Sequence, residues 1–414
     1  MLKTKRFTST ALLIIGQISF AFVSISPAQA ALVTATGTNS TACDQSVSNS
    51  AGITAARSGQ DCIVTFTNTT EATWTVPLGV TSVSAIVVGG GGGGGDSADW
   101  QTGGGGGAGG FFSHSSILVS ETIAIKVGAA GTGSVSNGQG TSGGTSYLGS
   151  LKVGGGGGGN GVTYLGGLRA GAGVGGADFV SSGNGGGARS RNAGTGNEIT
   201  GGLAGAYSAS GISFQGNTYI GLQGVAGGNA QSDSGSGGLG GKIALASSRT
   251  SSISGSSIEY SKVSDFRPWG NVSSSTGTKT PGSGGSPNYG YGTDPAAYGG
   301  DGAAGIVIIR YTLTSAILAP TFTGTIYKGT LESVTVTVNI PGKVRFYIDG
   351  KRIPGCLAVS TSGSAPSITA TCTWKPSVTG NRDVHATLTP SDGTTSAVTS
   401  GKTLLPVRKR VNIR

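Results

Sequence analysis

Histidine is almost missing from this chain. In 414 residues there are two, His114 and His385. Acidic residues number 17 and close pairs are scarce; Asp96 and Asp99 flank a burst as a candidate Ca²⁺ contact, but the spaced run ending in Glu that a calcium loop needs is missing. Acid–base catalysis and a His- or Cys-ligated metal centre have little to be built from, so the chain reads as a non-enzyme without metal or cofactor. Charged residues are 11% of the total, and the surface must therefore be mostly neutral: Ser, Thr, Asn and Gly. Prolines number 13 and glycine does not recur at every third position, which excludes collagen. Helix signals are nearly absent as well. Past the first 30 residues no stretch is apolar enough to span a bilayer.

What is present begins with a secretory signal. Lys3, Lys5 and Arg6 precede an apolar run from Ala11 to Ile25, and Ala28-Gln29-Ala30 supplies the small-x-small cleavage pattern. Residues 1–30 are expected to be removed. The formal net charge then falls from +10 to +7, too mild for a nucleic-acid footprint. Export permits disulfides among the four cysteines, Cys43, Cys62, Cys356 and Cys372. Three pairings are possible. Cys43–Cys62 and Cys356–Cys372 are favoured because each closes a short loop inside one candidate domain.

Glycine is the dominant presence: 67 of the 81 lie between Gly89 and Gly305. They come in bursts, at 89–95, 103–110, 154–159, 183–187 and 235–241. Strand-like segments bracket them. Period-two alternation marks 62–67, 72–76 and 81–88 before the first burst, and 305–313 reads as a strand after the last. Residues 116–128 read as a hairpin turning near Ser120-Glu121, and 146–153 as one strand. Three readings of the bursts compete. Collagen is excluded. A flexible Gly/Ser linker is the ordinary outcome. A bundle of polyglycine II helices, three residues per turn with backbone groups bonded to neighbouring helices, is the third. The bracketing strands favour this last reading, because a linker has no reason to return to a buried strand after 200 residues.

The segment VTFTNTTEATWTVPLGVTSVSAIVVGGGGGGG resembles the opening of the glycine-rich domain of secreted bacterial and phage tail proteins. Trp74, Val76, Pro77, Gly79 and Val80 match its turn, and 299–311 resembles its closing strand. The resemblance covers about 60–313. It implies strands carrying inserted polyglycine helices and a role in surface display, adhesion or scaffolding. After Thr314 glycine thins out. Short alternating strands with Asp349-Gly350 as a hairpin turn resemble a bacterial immunoglobulin-like domain.

The expected organisation is all-β: a signal peptide at 1–30, a polar lead-in at 31–60, a glycine-rich β domain at 61–313, an immunoglobulin-like sandwich at 314–404 and a loose basic tail at 405–414. The expected role is a secreted, non-enzymatic surface structural or adhesion protein, with a carbohydrate- or ice-binding module as the alternative. Cell-wall or surface polysaccharide, or another surface protein, is the expected partner. No Leu-Pro-x-Thr-Gly anchor signal is present. Trp100, Trp269, Tyr289, Tyr291 and Tyr298, set among turn residues, are the candidate ligand contacts, since aromatics on rigid loops can stack on sugars or anchor a partner. Ser142 fits Gly-x-Ser-x-Gly by composition but lacks the strand–turn–helix around it. Asp96, Asp99, Asp233, Asp294 and Asp301 read as solvated loop acids.

Overall fold

The computed structural model describes residues 31–38, 40–96, 103–134, 138–161, 170–188, 201–227, 250–261, 279–286, 299–364 and 368–410. The chain is all-β. Among the described residues the sole helical piece is a 3₁₀ turn, Ser40–Cys43.

The first unit holds β1 (Ala31–Val33), β2 (Ala35–Thr36), β3 (Gln45–Val47), β4 (Ile53–Ser58), β5 (Asp61–Phe66), β6 (Ala72–Thr75), β7 (Ser82–Val88), β8 (Phe111–Leu118), β9 (Thr122–Lys126), β10 (Ser146–Leu148), β11 (Leu151–Val153), β12 (Phe179–Ser181), the hairpin β13 (Ile212–Phe214) and β14 (Asn217–Tyr219), the hairpin β15 (Thr250–Ser251) and β16 (Ile258–Glu259), and β17 (Ile306–Thr312). Two sheets close over one core. One runs β1-β3-β6-β9-β10-β11-β12 and the other β2-β4-β5-β17-β7-β8. Trp74, Ile123, Ile125 and Leu151 meet Phe66, Val87, Phe112 and Ile309 between them.

β17 lies antiparallel between β5 and β7, so the strand that follows the glycine-rich segment is paired on both sides with strands that precede it. In β7 alternation sends Val83, Ala85 and Val87 into the inter-sheet core, while Ile86 and Val88 pack outward against Phe111, Ile253 and Tyr260. Both faces of this strand are covered, and its sequence is correspondingly apolar at its end. Within the core, Trp74 Nε1 donates to Gln45 Oε1 at 2.8 Å and Gln45 Nε2 donates to Tyr311 Oη at 2.8 Å. Burial raises the Tyr311 phenol above its usual range, opposed by the bond from Gln45.

Three sequence expectations change here. The polar lead-in at 31–60 contains β1 to β4 and contributes strands to both sheets. Its alternation is broken into pieces of two to six residues, too short to stand out as a period. The expected hairpin at 116–128 is a crossing between sheets: β8 pairs with β7, and β9 with β6. Glu121, at φ 55°, makes the turn, and the chain on either side of it bonds to different sheets through Val119 N–H to Thr81 O and Val76 N–H to Glu121 O. Residues 146–153, expected as one strand, form the hairpin β10–β11, turning at Gly149.

The second unit holds β18 (Thr321–Phe322), β19 (Ile326–Tyr327), β20 (Glu332–Val338), β21 (Gly342–Ile348), β22 (Lys351–Arg352), β23 (Val359–Ser360), β24 (Ile368–Trp374), β25 (Gly380–Pro390), β26 (Val398–Thr399) and β27 (Thr403–Arg408). A sheet β18-β20-β24 and a sheet β19-β27-β25-β21-β22 share a core that includes Val336, Phe346, Cys372, Trp374 and Leu388. The end of the chain is not a loose tail from residue 405: β27 pairs with β25 and buries Leu405 and Val407. A proline inside the strand and the basic run Arg408-Lys409-Arg410 at its end obscure it in the sequence.

Both favoured disulfides are formed. Cys43–Cys62 ties the 3₁₀ turn to β5, and Cys356–Cys372 ties the chain after β22 to β24, with Cα–Cα spacings of 5.4 and 5.6 Å.

The two units are joined by more than the chain. Asn339 Nδ2 donates to Leu78 O at 2.9 Å and to Thr314 O at 2.7 Å, and Ile340 packs into the first core. Arg57 and Asp392 form an ion pair at 2.8 Å with side chains 3% and 4% exposed.

The glycine array as candidate functional site

The glycine segments continue the strands of the first unit. Residues 89–95 prolong β7, 128–134 prolong β9, 154–160 prolong β11 and 182–187 prolong β12, while 103–110, 138–144 and 299–305 lead back into β8, β10 and β17. They hydrogen-bond to one another with a period of three. The N–H groups of Gly89, Gly92 and Gly95 donate to Gly110, Gly107 and Gly104. Those of Gly90 and Gly93 donate to Gly144 and Thr141, and those of Gly91 and Gly94 to Ala303 and Gly300, all at 2.8–3.0 Å. The carbonyls of the same segment are used in the same rotation. Gly90 and Gly93 accept from Gly156 and Gly159, Gly91 and Gly94 from Gly131 and Ser134, and Gly92 from Gly285. Segment 89–95 thus bonds to six neighbours: 103–110, 138–144, 299–305, 154–160, 128–134 and 282–286.

A β-strand bonds to two neighbours because its backbone groups point in two opposed directions. The N–H and C=O groups of this segment reach six neighbours instead of two, and packing that close requires glycine. A Cβ placed on any of Gly89 to Gly95 would lie 1.8–2.1 Å from a neighbouring carbonyl oxygen. The hydrophobic effect contributes little inside such an array. What holds it is that buried backbone groups have partners and would lose them on separation.

The few larger side chains inside it replace missing backbone bonds. Asn184, fully buried, donates from Nδ2 to Ala108 O and accepts from Val225 N–H at Oδ1, both at 2.8 Å. Ser146 Oγ accepts from Gly128 N–H and donates to Val88 O, and Ser182 Oγ accepts from Gly224 N–H. Sequence reasoning passed over these residues, because a lone Ser or Asn among glycines looks like any loop residue.

The register sets one end of the array against the sheets and the other away from them. At the far end Gly95 bonds Gly104, Gly104 bonds Asn160, Asn160 bonds Gly187, and Gly94 joins Ser134 and Gly300. Asp96, Gly103, Gly161, Ala188, Ser286 and Gly299 therefore mark one face. Asp96 is not a solvated loop acid: it is 3% exposed at this rim. Asp301 is engaged too, its Oδ1 accepting from Gly133 N–H at 2.7 Å. Asp99, Asp233 and Asp294 lie outside the described residues, as do all five aromatic candidates, Trp100, Trp269, Tyr289, Tyr291 and Tyr298. The chain leaves the described array at Asp96 and Ser286, before Trp100 and Tyr289, and re-enters it at Gly103 and Gly299, after Trp100 and Tyr298; all four of these points are on the far face.

Ser142 is exposed on segment 138–144, and no helix follows it. His114 lies on β8, edge-on to Tyr219 at 5.1 Å, and His385 lies in the second unit on β25. Among the described residues no three His, Cys, Asp or Glu are grouped as metal ligands, and no helix is long and apolar enough to cross a membrane. A groove of about 480 Å³ between β7 and β17 is lined by Asp61, Ser84, Ser115, Arg310 and Thr312. Its one cation is already held, Arg310 donating to Asp61 Oδ2 at 2.6 and 2.9 Å.

A β fold carrying a backbone-bonded glycine array defines the class of this protein. A family model described as a glycine-rich domain matches residues 65–312, more than half of the chain, and the chain belongs to that family. No curated protein matches it.

Proposed function

We propose that this is a secreted, non-enzymatic surface protein for adhesion or scaffolding. In this reading the glycine segments are polyglycine II-type helices that act as a rigid platform, followed by an immunoglobulin-like sandwich. The observation that carries the reading is the far face of the array. Rigid segments converge there, and the connections between them begin and end there. Binding residues concentrate on loops held by a rigid scaffold. The three-residue hydrogen-bond period supports the helix assignment, and the two-sheet core of residues 314–410 supports the sandwich. Two disulfides fit an oxidising compartment, and the leader-like residues 1–30 fit export.

Labelled protein spanning residues 31–414 is expected to coat bacterial cells or their isolated wall polysaccharide. Replacing Trp100, Tyr289, Tyr291 and Tyr298 together by Ala should weaken that binding by more than about tenfold, since aromatic anchors dominate interfaces. The unfolding midpoint should stay unchanged. Absence of binding to any cell surface, wall fraction or glycan array would sink the proposal. Undiminished binding by the variant would move the site away from the aromatics.

A further inference from the structure

The positive charge of the chain is unevenly placed. Residues 31–313 carry 12 Lys and Arg against 13 Asp and Glu, a net of −1, whereas residues 314–414 carry 12 against 4, a net of +8. The fold places three of these twelve cations together on one sheet face. Alternation along β21 buries Val344 and Phe346 and leaves Lys343, Arg345 and Tyr347 on the outside. Tyr347 stands between Arg352 of β22 on one side and His385 of β25 on the other. The Tyr347 and His385 rings stack at 4.9 Å with 2° between their planes. Hydroxyls alternate with the cations: Thr389 and Thr387 lie opposite Lys343 and Arg345, and Ser360 of β23 flanks Lys343.

The acids of this unit are already engaged. Asp349 pairs with Arg382 at 3.0 Å and Asp383 with Lys402 at 3.6 Å. Asp392 is held by Arg57, and Glu332 accepts from Thr330 and from the Tyr327 N–H. Lys343, Arg345 and Arg352 are exposed, and none of these ion pairs includes them. Like charges on neighbouring strands of one face repel, a cost that a bound anion removes.

We infer that this face binds an acidic polysaccharide. Arg345, Arg352 and Lys343 meet its carboxylates through charge-assisted hydrogen bonds, and the Thr and Ser hydroxyls meet its ring hydroxyls. The inference rests on the surface-binding reading and gives it a second site with a ligand class. Sugar acids suit the face better than duplex DNA, whose charge repeats at about one per 1.7 Å of helix axis with no sugar hydroxyls to match those between the cations.

The test uses protein spanning residues 31–414 and polygalacturonate as probe, with neutral dextran and duplex DNA alongside. Polygalacturonate should bind, dextran should not, and affinity should fall steadily as ionic strength rises from about 0.01 M to about 1 M, across which the Debye length shrinks from about 30 to about 3 Å. Arg345→Glu/Arg352→Glu should weaken binding by at least about tenfold, as expected for like charge placed against a charged partner. Lys126→Glu/Lys375→Glu makes the same change in net charge at exposed positions, at the end of β9 and just past β24, and should leave binding within about twofold. Equal loss in the two variants, wild-type binding by the Arg variant, or tighter binding of DNA overturns the inference. If wild-type protein coats cells but ignores polygalacturonate, this face is wrong and the surface-binding reading stands. If it coats nothing and binds no glycan, both fall.

Discussion

Gly92→Ala is expected to destabilise the first unit by more than about 4 kcal/mol, a loss reserved for changes that break a named structural device. Intrinsic preference points the other way. Alanine at a compatible glycine stabilises by about 0.4–1 kcal/mol, because it narrows the unfolded ensemble. Here the new Cβ would sit 2.1 Å from Gly157 O and 2.5 Å from its carbonyl carbon. Both atoms are backbone, so no side chain can swing aside. Relief requires segment 154–160 to move, and that segment also bonds 103–110, 138–144, 171–174 and 182–187. Gly401→Ala is the control: its Cβ would meet nothing closer than Ala319 Cβ at 3.9 Å, so it should fall within about 0.5 kcal/mol of wild type. Denaturant unfolding followed by tryptophan fluorescence, with Trp74 buried in the first core and Trp374 in the second, measures both. Equal midpoints for the two variants would mean that the array is not packed as described.

Arg57→Met is expected to cost about 3–5 kcal/mol, the usual consequence of leaving a buried charge without its partner. The cost falls on the junction between the units, so limited proteolysis near Thr314 should speed up along with a lower unfolding midpoint. Burial opposes ionisation of Asp392. Hydrogen bonds from Thr395, Arg57 and Thr394 outweigh that penalty and hold the carboxyl below its ordinary range. Because the folded state binds this proton less readily than the unfolded state, the contribution is present above about pH 4, the unfolded value, and fades as pH falls below it. Asp392→Asn should therefore be less stable than wild type at neutral pH and lose less on acidification. Identical acid limbs for the two proteins would remove Asp392 from the account.

Much of this was visible in the residues themselves. The strands β20, β21 and β25 follow from alternation, β5, β7 and β17 from short apolar β-branched runs, and the disulfides from the placing of four cysteines. The candidate site was visible only in outline. Glycine bursts between strands suggested an ordered insertion, but which burst bonds which cannot be read from glycine, because it has no side chain to mark a face or a register. Asn184 and Ser146 were missed for a related reason. Their role depends on which carbonyls lie beside them, and those carbonyls belong to residues up to 76 positions away. The crossing at Glu121 was missed because alternation identifies a strand without naming its partner. Ile117 and Ile123 face one core whether their strands share a sheet or oppose one another across it.

By itself the sequence determined the class of structure. Scarce acids, bases and helix formers, together with strands on both sides of a glycine-rich segment, leave an all-β scaffold with little catalytic equipment, since side-chain chemistry and local propensity are properties of single residues and their near neighbours. Only the tertiary structure decided the six-neighbour bonding around Gly89–Gly95, the common far face, the buried Arg57–Asp392 link and the cationic face around Arg345. Each of these is a relation between segments distant in the chain, and backbone hydrogen bonds, burial and charge acquire their strength from what the fold sets beside them.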